Sequence, residues 1–492
     1  MDLLSLQNGS DIRGIAITTE NSQANLTDDA VSKIGAAFVV YLKKKLGKSS
    51  LTIAVGNDTR LSAARLFDRL CIGMLSQNAK VTYMGIASTP AMFMATVMDG
   101  YEYDASVMIT ASHLPYDRNG FKFFTKSGGF EKTDIKAVLE LAGEIQYNES
   151  AAKEYDCRDI IDDYCTLLRK TIIKKADVGN MPLNGLHIIT DCGNGAGGFF
   201  AEKVLVPLGA DVSGSVFSEP DGTFPNHAPN PEDKTAMEVF SKAVISAKCD
   251  LGIIFDTDVD RSAVVLPDGK EINRNRLIAL MTAIVKQEHE NPVIITDSVT
   301  STGLAQFITE LGGTHVRFKR GYRNVINEAI RLCNTGVDAC LAIETSGHGA
   351  LRENYFLDDG AYMAALIVAQ LAKLKKDGKT IESLIKSLNE PLEAAEIRYK
   401  INTENFKDYG ENVLQQLKNA VENTVGFTLA PDNYEGIRVN TDNNNGDGWF
   451  LLRMSLHDPV MPLNIESNSV GGVKIMEKWI ADFLAQFDKL IR

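Results

Sequence analysis

Six short apolar runs, at residues 51–55, 105–109, 186–190, 251–255, 292–296 and 339–343, each end in a polar or glycine-rich cluster. The clusters read GNDTR, TASHLP, DCGNGAGG, DTDVDR, DSVTSTG and ETSGHGA. A short aliphatic run bounded by turn residues predicts a buried strand, and the amphipathic stretches that follow predict helices. This alternation of strand, loop and helix places the chain in the α/β class. Strands that are apolar on both faces imply sheets covered by helices on both sides, where ligands bind beyond the carboxyl ends of the strands. The polar clusters lie at those ends, two to a unit. That spacing predicts three consecutive similar α/β domains with mixed, mainly parallel sheets.

Charged, helix-like stretches at 134–155 and 270–290 suit the joins between units, and KKDGKT with NEPLEAAE near 375–395 suits a helix end and a linker. Beyond it the pattern changes. Residues 397–401, 437–440 and 449–453 predict strands and 470–491 an amphipathic helix, so a fourth, C-terminal domain is expected to be α+β. The expected boundaries are 1–155, 156–275, 276–390 and 391–492. A chain of 492 residues agrees with three or four domains at roughly 100–200 residues each.

Composition narrows the function classes. With 44% hydrophobic and 23% charged residues the chain is globular, and a net charge of −13 argues against a nucleic-acid partner, which needs clustered basic charge. A small-anion site is still compatible, because a few arginines and backbone N–H groups suffice. The seven cysteines are scattered without a C-x-x-C pair, which predicts reduced thiols, five of them in apolar or helical surroundings. Apolar stretches such as 363–372 fall short of the ~18 residues a membrane span needs, so no membrane association is expected. The amino terminus lacks a basic segment and a long apolar core, which predicts a cytoplasmic protein without a signal peptide. A plastid protein whose transit peptide precedes this numbering fits as well.

Two clusters carry most of the chemistry. In DTDVDR the carboxylates Asp256, Asp258 and Asp260 stand at i, i+2 and i+4, which in an extended segment puts all three on one face. Three converging oxygen donors suit a hard divalent cation such as Mg2+ with positions open for phosphate oxygens. In TASHLP the hydroxyl of Ser112 is a candidate nucleophile or phosphoryl carrier, and His113 and Lys122 are candidates for proton transfer or charge stabilisation. Gly193 to Gly198 also satisfies G-x-G-x-x-G, with Asp211 where a ribose-binding acid would fall, but a tight strand-to-helix turn is the better reading.

TASHLP with NGFKFF downstream, DTDVDR and ETSGH, in this order and at these intervals, resemble the loops of the α-D-phosphohexomutase family, the phosphoglucomutases and phosphomannomutases. The segment from Asn8 to Gly14 is similar to the family's opening G-T-x-G-I-R-G, and the likeness extends over essentially the whole chain. The resemblance implies that Ser112 is a phosphoserine and that Asp256, Asp258 and Asp260 hold Mg2+ against its phosphate. It further implies that Arg261 contacts the serine phosphate, that Lys122 is a general acid/base, and that Arg13 binds substrate. Glu344 and Ser346 would read sugar hydroxyls, His348 would close that loop, and Lys319 and Gly321 in FKRGYRNV resemble a second sugar-side loop.

The distal phosphate loop departs from the family pattern. It reads Arg453-Met454-Ser455-Leu456-His457-Asp458-Pro459, so Arg453 and Ser455 persist while His457 replaces the phosphate-bonding threonine. Leu114 replaces an asparagine beside Ser112, Thr257 and Val259 replace glycines of the metal loop, and Asn464 stands where some members carry arginine.

The expected function is therefore a phosphohexomutase that interconverts hexose 1-phosphate and hexose 6-phosphate of glucose, mannose or both. Hexose 1,6-bisphosphate is the expected intermediate and activator, small hexose phosphates are the expected partners, and a monomer or homodimer the expected assembly. Two alternatives stand beside it. Residues 253–259 resemble the opening of haloacid-dehalogenase-type phosphatases, in which Asp256 would be phosphorylated and Asp358 with Asp359 would form a later acidic loop. A non-catalytic sugar-phosphate-binding homologue is the other, motivated by Leu456 and His457.

Overall fold

In a computed structural model describing residues 2–150, 154–455 and 458–492, the six apolar runs form the strands Leu51–Asn57, Ala105–Ile109, Ile188–Asp191, Leu251–Phe255, Val293–Thr296 and Ala339–Ile343. Helices follow only some of them. Leu51–Asn57 leads to the helix Ala63–Ser76, Val293–Thr296 to the helix Thr302–Glu310, and Ile188–Asp191 to a 3-10 turn and the π-helical segment Phe200–Leu205. After Ala105–Ile109 the chain instead folds straight back as the antiparallel strand Arg118–Thr125. After Leu251–Phe255 it returns as Ser262–Val265, and Ala339–Ile343 is followed by the strand Gly349–Leu351. The expected strand, loop, helix alternation thus fails at the three loops TASHLP, DTDVDR and ETSGH. The residues beyond these loops, such as FKFF and SAVV, are buried at every position and continue the sheet.

The first sheet is mixed. Leu51–Asn57 has parallel neighbours in Ala79–Ile86 and Ala105–Ile109, while Arg118–Thr125 pairs antiparallel with Ala105–Ile109 on one side and Asp11–Ile15 on the other. In the second sheet Ile188–Asp191 and Leu251–Phe255 are parallel, and Ser262–Val265 and Glu271–Ile272 extend it antiparallel. The third centres on Val293–Thr296 between parallel Thr314–Arg317 and Ala339–Ile343. The C-terminal sheet is antiparallel throughout, with strands Phe427–Leu429, Ile437–Thr441, Gly448–Leu452, Val460–Ser467, Glu393–Ile401 and Leu490–Ile491 side by side in that order.

This last domain also contains the helix Phe406–Glu422, which the sequence reading did not foresee. Its terminal helix is shorter than expected, Gly472–Leu484, and Trp479 on it packs against Phe427 and Phe450 at 4.6 and 5.9 Å between ring centroids.

The chain divides into two compact units, residues 1–273 with 346–383 and residues 274–345 with 384–492. In the first unit, the helix Asp28–Leu46 lies against Ala63–Ser76 so closely that a Cβ at Gly73 would sit 1.9 Å from the Ser32 carbonyl. Beneath them Phe38 packs at a tilt against Phe123 of the strand Arg118–Thr125, 4.5 Å between ring centroids, which anchors the strand that carries Lys122. No helix among the described residues is long and apolar enough to cross a membrane.

Candidate active site

The strand Leu251–Phe255 delivers Asp256, Asp258 and Asp260 into the interior of the first unit, all but inaccessible to water. Their carboxylate oxygens lie within 4.8 Å of one another. Convergence comes from a tight turn rather than from an extended segment: Val259 holds φ at 65°, a left-handed conformation that β-branched residues rarely adopt. Lys122 bridges the pair below it, with Nζ 3.0 Å from Asp258 Oδ2 and in short contact with Asp260 Oδ2. Thr89, at the start of the helix Thr89–Met94, donates its N–H to the Asp258 carbonyl at 2.8 Å and its hydroxyl to Asp258 Oδ2 at 2.5 Å.

Two oxygens of this cluster, Asp258 Oδ1 and Asp260 Oδ1, are buried and accept no hydrogen bond. Buried carboxylate oxygens are ordinarily satisfied, so these two mark a place for a cation. Burial first, and Asp260 beside it, push the Asp256 carboxyl well above its usual range against the pull of Arg261. Burial acts on Asp260 in the same sense, but Lys122, His348 and Arg261 outweigh it and hold that carboxyl below the usual range. The donor set fits a hard divalent ion.

Ser112 approaches this cluster from the loop after Ala105–Ile109. Its Oγ donates to Asp256 Oδ2 at 3.2 Å, accepts from Arg261 Nη2 at 3.2 Å, and lies 3.3 Å from His113 Nδ1. Arg261 also binds Asp256 Oδ2 through Nε at 3.1 Å and Asn230 Oδ1 through Nη1 at 3.1 Å. Arg13 stands opposite Gly120 on the neighbouring strand, pairs with Asp11 at 2.9 Å and reaches the Ala111 carbonyl at 3.5 Å. His113 is pushed down to about 2, chiefly by burial and then by Arg261 and Arg13, so its ring is neutral at physiological pH.

His348 belongs to the same unit. It forms a short pair with Asp358, lies 3.9 Å from Asp260 Oδ1, and its backbone bridges to Arg261. Burial disfavours its charge, but Asp358 and Asp260 prevail and raise it to about 9. Ser346 is buried at the start of this segment.

In the second unit, Glu344 Oε1 accepts the Gly321 N–H at 2.6 Å, which brings the two sugar-side loops together, while Lys319 is exposed. Arg453 Nη1 lies 3.5 Å from Glu435 Oε1. The other oxygen of Glu435 accepts from Ser298 Oγ at 2.7 Å and from the Arg320 N–H at 2.9 Å. Ser455 is half-buried, and its Oγ accepts the Asp458 N–H at 3.4 Å. Leu456 and His457 lie outside the described residues. The sequence reading missed Glu435 and Ser298, as it missed Thr89, Asp58 and Arg60 in the first unit. Asp58 with Arg60 and Ser298 had a local signal, a place in the polar clusters GNDTR and DSVTSTG directly after apolar strands, whereas Thr89 and Glu435 had none.

The G-x-G-x-x-G segment is a structural turn. A Cβ at Gly195 would fall 2.7 Å from the backbone of Thr257, and the Ala196 N–H donates to the Thr257 carbonyl at 2.8 Å, so the turn packs against the metal loop. The phosphatase alternative is not favoured. Asp359 caps the helix Gly360–Lys376 through the Tyr362 N–H and binds the Tyr164 hydroxyl at 2.6 Å, while Asp358 is committed to His348.

Comparison with known proteins agrees with this geometry. The α/β/α domains I, II and III of phosphoglucomutase/phosphomannomutase match residues 5–149, 162–269 and 273–391. A phosphoglucomutase from Neisseria gonorrhoeae is 30% identical over 472 residues, covering 94% of this chain and 93% of that protein. A phosphomannomutase/phosphoglucomutase from Pseudomonas syringae is 30% identical over 469 residues, 93% of this chain and 90% of its own length. A crystal structure of a phosphoglucomutase/phosphomannomutase family protein from Burkholderia thailandensis superposes with a TM-score of 0.80 at 25% identity, covering 98% of this chain and 97% of that one. With three of its domains matched in order and relatives alike over nearly their whole length, the chain belongs to the phosphoglucomutase/phosphomannomutase family, the α-D-phosphohexomutases.

Proposed function

We propose that this enzyme interconverts hexose 1-phosphate and hexose 6-phosphate, of glucose or mannose, through phospho-Ser112 and a hexose 1,6-bisphosphate intermediate. The observation that carries the reading is Ser112 Oγ held 3.2 Å from both Asp256 Oδ2 and Arg261 Nη2 at the edge of a buried acidic cluster. A hydroxyl so placed has a guanidinium beside the phosphate it would carry. Asp256, Asp258 and Asp260 would hold Mg2+ with the serine phosphate as a further ligand. Bound there, the ion would supply positive charge against the transferring phosphoryl group, beside the charge that Lys122 gives Asp258 and Asp260.

In the transfer, the bond from phosphorus to Ser112 Oγ breaks as one forms to a sugar hydroxyl oxygen, and the hydroxyl proton leaves to a base. Arg261 stays against Oγ as charge develops there. Lys122 is the general acid/base that the family pattern implies, whereas His113, neutral and facing Oγ, is a hydrogen-bond partner of that oxygen rather than a base, since burial, Arg261 and Arg13 disfavour its taking a proton. His348, protonated at neutral pH, suits charge stabilisation. Glu344, Ser346, Lys319 and Gly321 would read the sugar, and Arg13, Arg453, Ser455 and His457 the phosphates.

Replacing Ser112 tests this. Ser112→Ala should abolish conversion of glucose 1-phosphate, and of mannose 1-phosphate, to the corresponding 6-phosphate in the presence of Mg2+ and bisphosphate, with unfolding temperature unchanged, and wild-type label should be acid-stable phosphoserine. Normal turnover by the variant, or acid-labile label at Asp256, would sink the reading.

A further inference from the structure

Asp58 and Arg60, in the turn after Leu51–Asn57, make no hydrogen bond to the three carboxylates of the acidic cluster, yet they are buried almost as deeply as the cluster itself. A guanidinium has five N–H groups in a planar fork, and here each has an acceptor. Nε donates to Asp58 Oδ2 at 3.2 Å. Nη1 donates to the carbonyls of Pro115 and Arg118 at 2.6 and 3.0 Å, and Nη2 to those of Ser112 and Leu114 at 2.5 and 2.6 Å. One side chain therefore gathers four carbonyls of the loop that carries the phosphoryl group.

Asp58 closes the arrangement from the other side. It accepts the Arg60 N–H at 2.9 Å and the Thr110 hydroxyl at 2.7 Å, and Thr110 Oγ1 in turn accepts the Ser112 N–H at 2.9 Å. A ring of hydrogen bonds thus runs from Asp58 through Thr110 and Ser112 to Arg60 and back. Phe224 covers the guanidinium face at 5.1 Å, and Gly222 lies against the backbone of Thr59 to Leu61, where a Cβ would meet the Thr59 carbonyl at 2.3 Å.

The loop needs such a hold. Ser112 itself sits at φ 52°, a left-handed conformation that is costly for an L residue other than glycine and persists only where the surroundings impose it. No regular secondary structure spans residues 110–117. We infer that Arg60 is a positioning residue: by clamping four carbonyls of the serine loop it imposes the left-handed turn at Ser112 and so aims Oγ at Asp256 and Arg261. Its charge is committed to Asp58 and to backbone, which separates it from the arginines that would face phosphate. The inference rests on the mutase reading for its effect on rate, but the clamp itself is a property of the loop.

Arg60→Lys tests it, because an ammonium keeps the charge but lacks the planar fork. A displacement of the reacting group by about 1 Å costs on the order of 100-fold in rate. The variant should therefore lose about 100-fold in kcat while KM for glucose 1-phosphate stays within about threefold, since groups that bind sugar are untouched. Amide hydrogen exchange at residues 111–118 should accelerate at least about tenfold with residues 251–255 unchanged. A kcat within about threefold of wild type, a rise in KM with kcat preserved, or unchanged exchange at 111–118 would each overturn the inference. Should Arg60→Lys not fold, Thr110→Val removes one link of the same ring and must show the same pattern at about tenfold in kcat, or the inference fails. An inactive wild-type enzyme would refute the mutase reading instead, and the exchange measurement would still decide the clamp.

Discussion

The turn after Leu51–Asn57 and the turn after Leu251–Phe255 are made from similar parts, a buried aspartate just past the strand end and a buried arginine shortly beyond it. In the first, Asp58 and Arg60 find partners for every polar side-chain atom, within the turn and on the neighbouring serine loop. In the second, Asp258 Oδ1 and Asp260 Oδ1 accept no hydrogen bond, and three carboxylates share the cations Lys122, Arg261 and His348. Buried charge that is fully paired acts as scaffold; buried charge left partly unpaired is where a ligand belongs. The difference lies in completeness rather than in residue type.

Stability should separate the two turns most sharply. Arg60→Met leaves Asp58 without its cation and four carbonyls without donors, so the unfolding free energy should fall by about 3–5 kcal/mol. Asp256→Asn in metal-free protein should change it by less than about 1 kcal/mol, because burial and Asp260 already disfavour the charge on Asp256. Urea denaturation in EDTA measures both, and equal losses would erase the distinction.

The pH dependence comes next in size. His348 titrates near 6.5 when unfolded and about 9 when folded, so the stability it contributes is complete below pH 6.5 and is lost as the pH rises through 9. That shift corresponds to about 3 kcal/mol. Metal-free protein should therefore weaken between pH 6.5 and 9, and His348→Gln should flatten the curve; an unchanged slope would mean that His348 is not the proton holding the cluster together.

How much of this was legible follows from the range of each contact. The six buried strands showed as apolar runs, and DTDVDR and TASHLP stood out because three carboxylates or a serine in a small-residue loop are chemically conspicuous. GNDTR was visible only as a turn, since Asp and Arg are ordinary turn residues until their partners are known. Arg60 acts on carbonyls 52–58 positions away, Thr89 on Asp258 across 169 positions, and Ser298 on Glu435 across 137. No local pattern encodes such pairings. The hairpins after TASHLP and DTDVDR escaped for a different reason: Arg118, Asn119 and Lys122 interrupt one return strand and the other is only the four residues Ser262–Val265, so neither shows as a clean apolar run.

Metal binding probes the incomplete turn directly. At about 100 times its dissociation constant, Mg2+ should stabilise the folded protein by about 2.7 kcal/mol, seen as a rise in unfolding temperature. Asp256→Asn should remove that rise while leaving the metal-free transition in place. A variant stabilised by Mg2+ as much as wild type would show that the ion binds elsewhere.

The smallest effect concerns how the metal loop is aimed. Thr89 holds Asp258 twice, through its N–H on the carbonyl and its hydroxyl on Oδ2, and only the second is lost in Thr89→Val. Valine is similar in volume, so packing at the start of the helix Thr89–Met94 should survive. Asp258 Oδ2 would then keep Lys122 as its partner but lose the contact that fixes its rotation. Residues supporting a metal ligand in this way are worth about 10–100-fold in affinity, and a single hydroxyl on one of three carboxylates belongs at the lower end. Titrating Mg2+ against unfolding temperature should give an affinity about tenfold weaker, with the plateau reached at high metal unchanged. If affinity were unaltered, the metal loop would be self-supporting, and the contrast with the clamped serine loop would extend from charge to mechanical support.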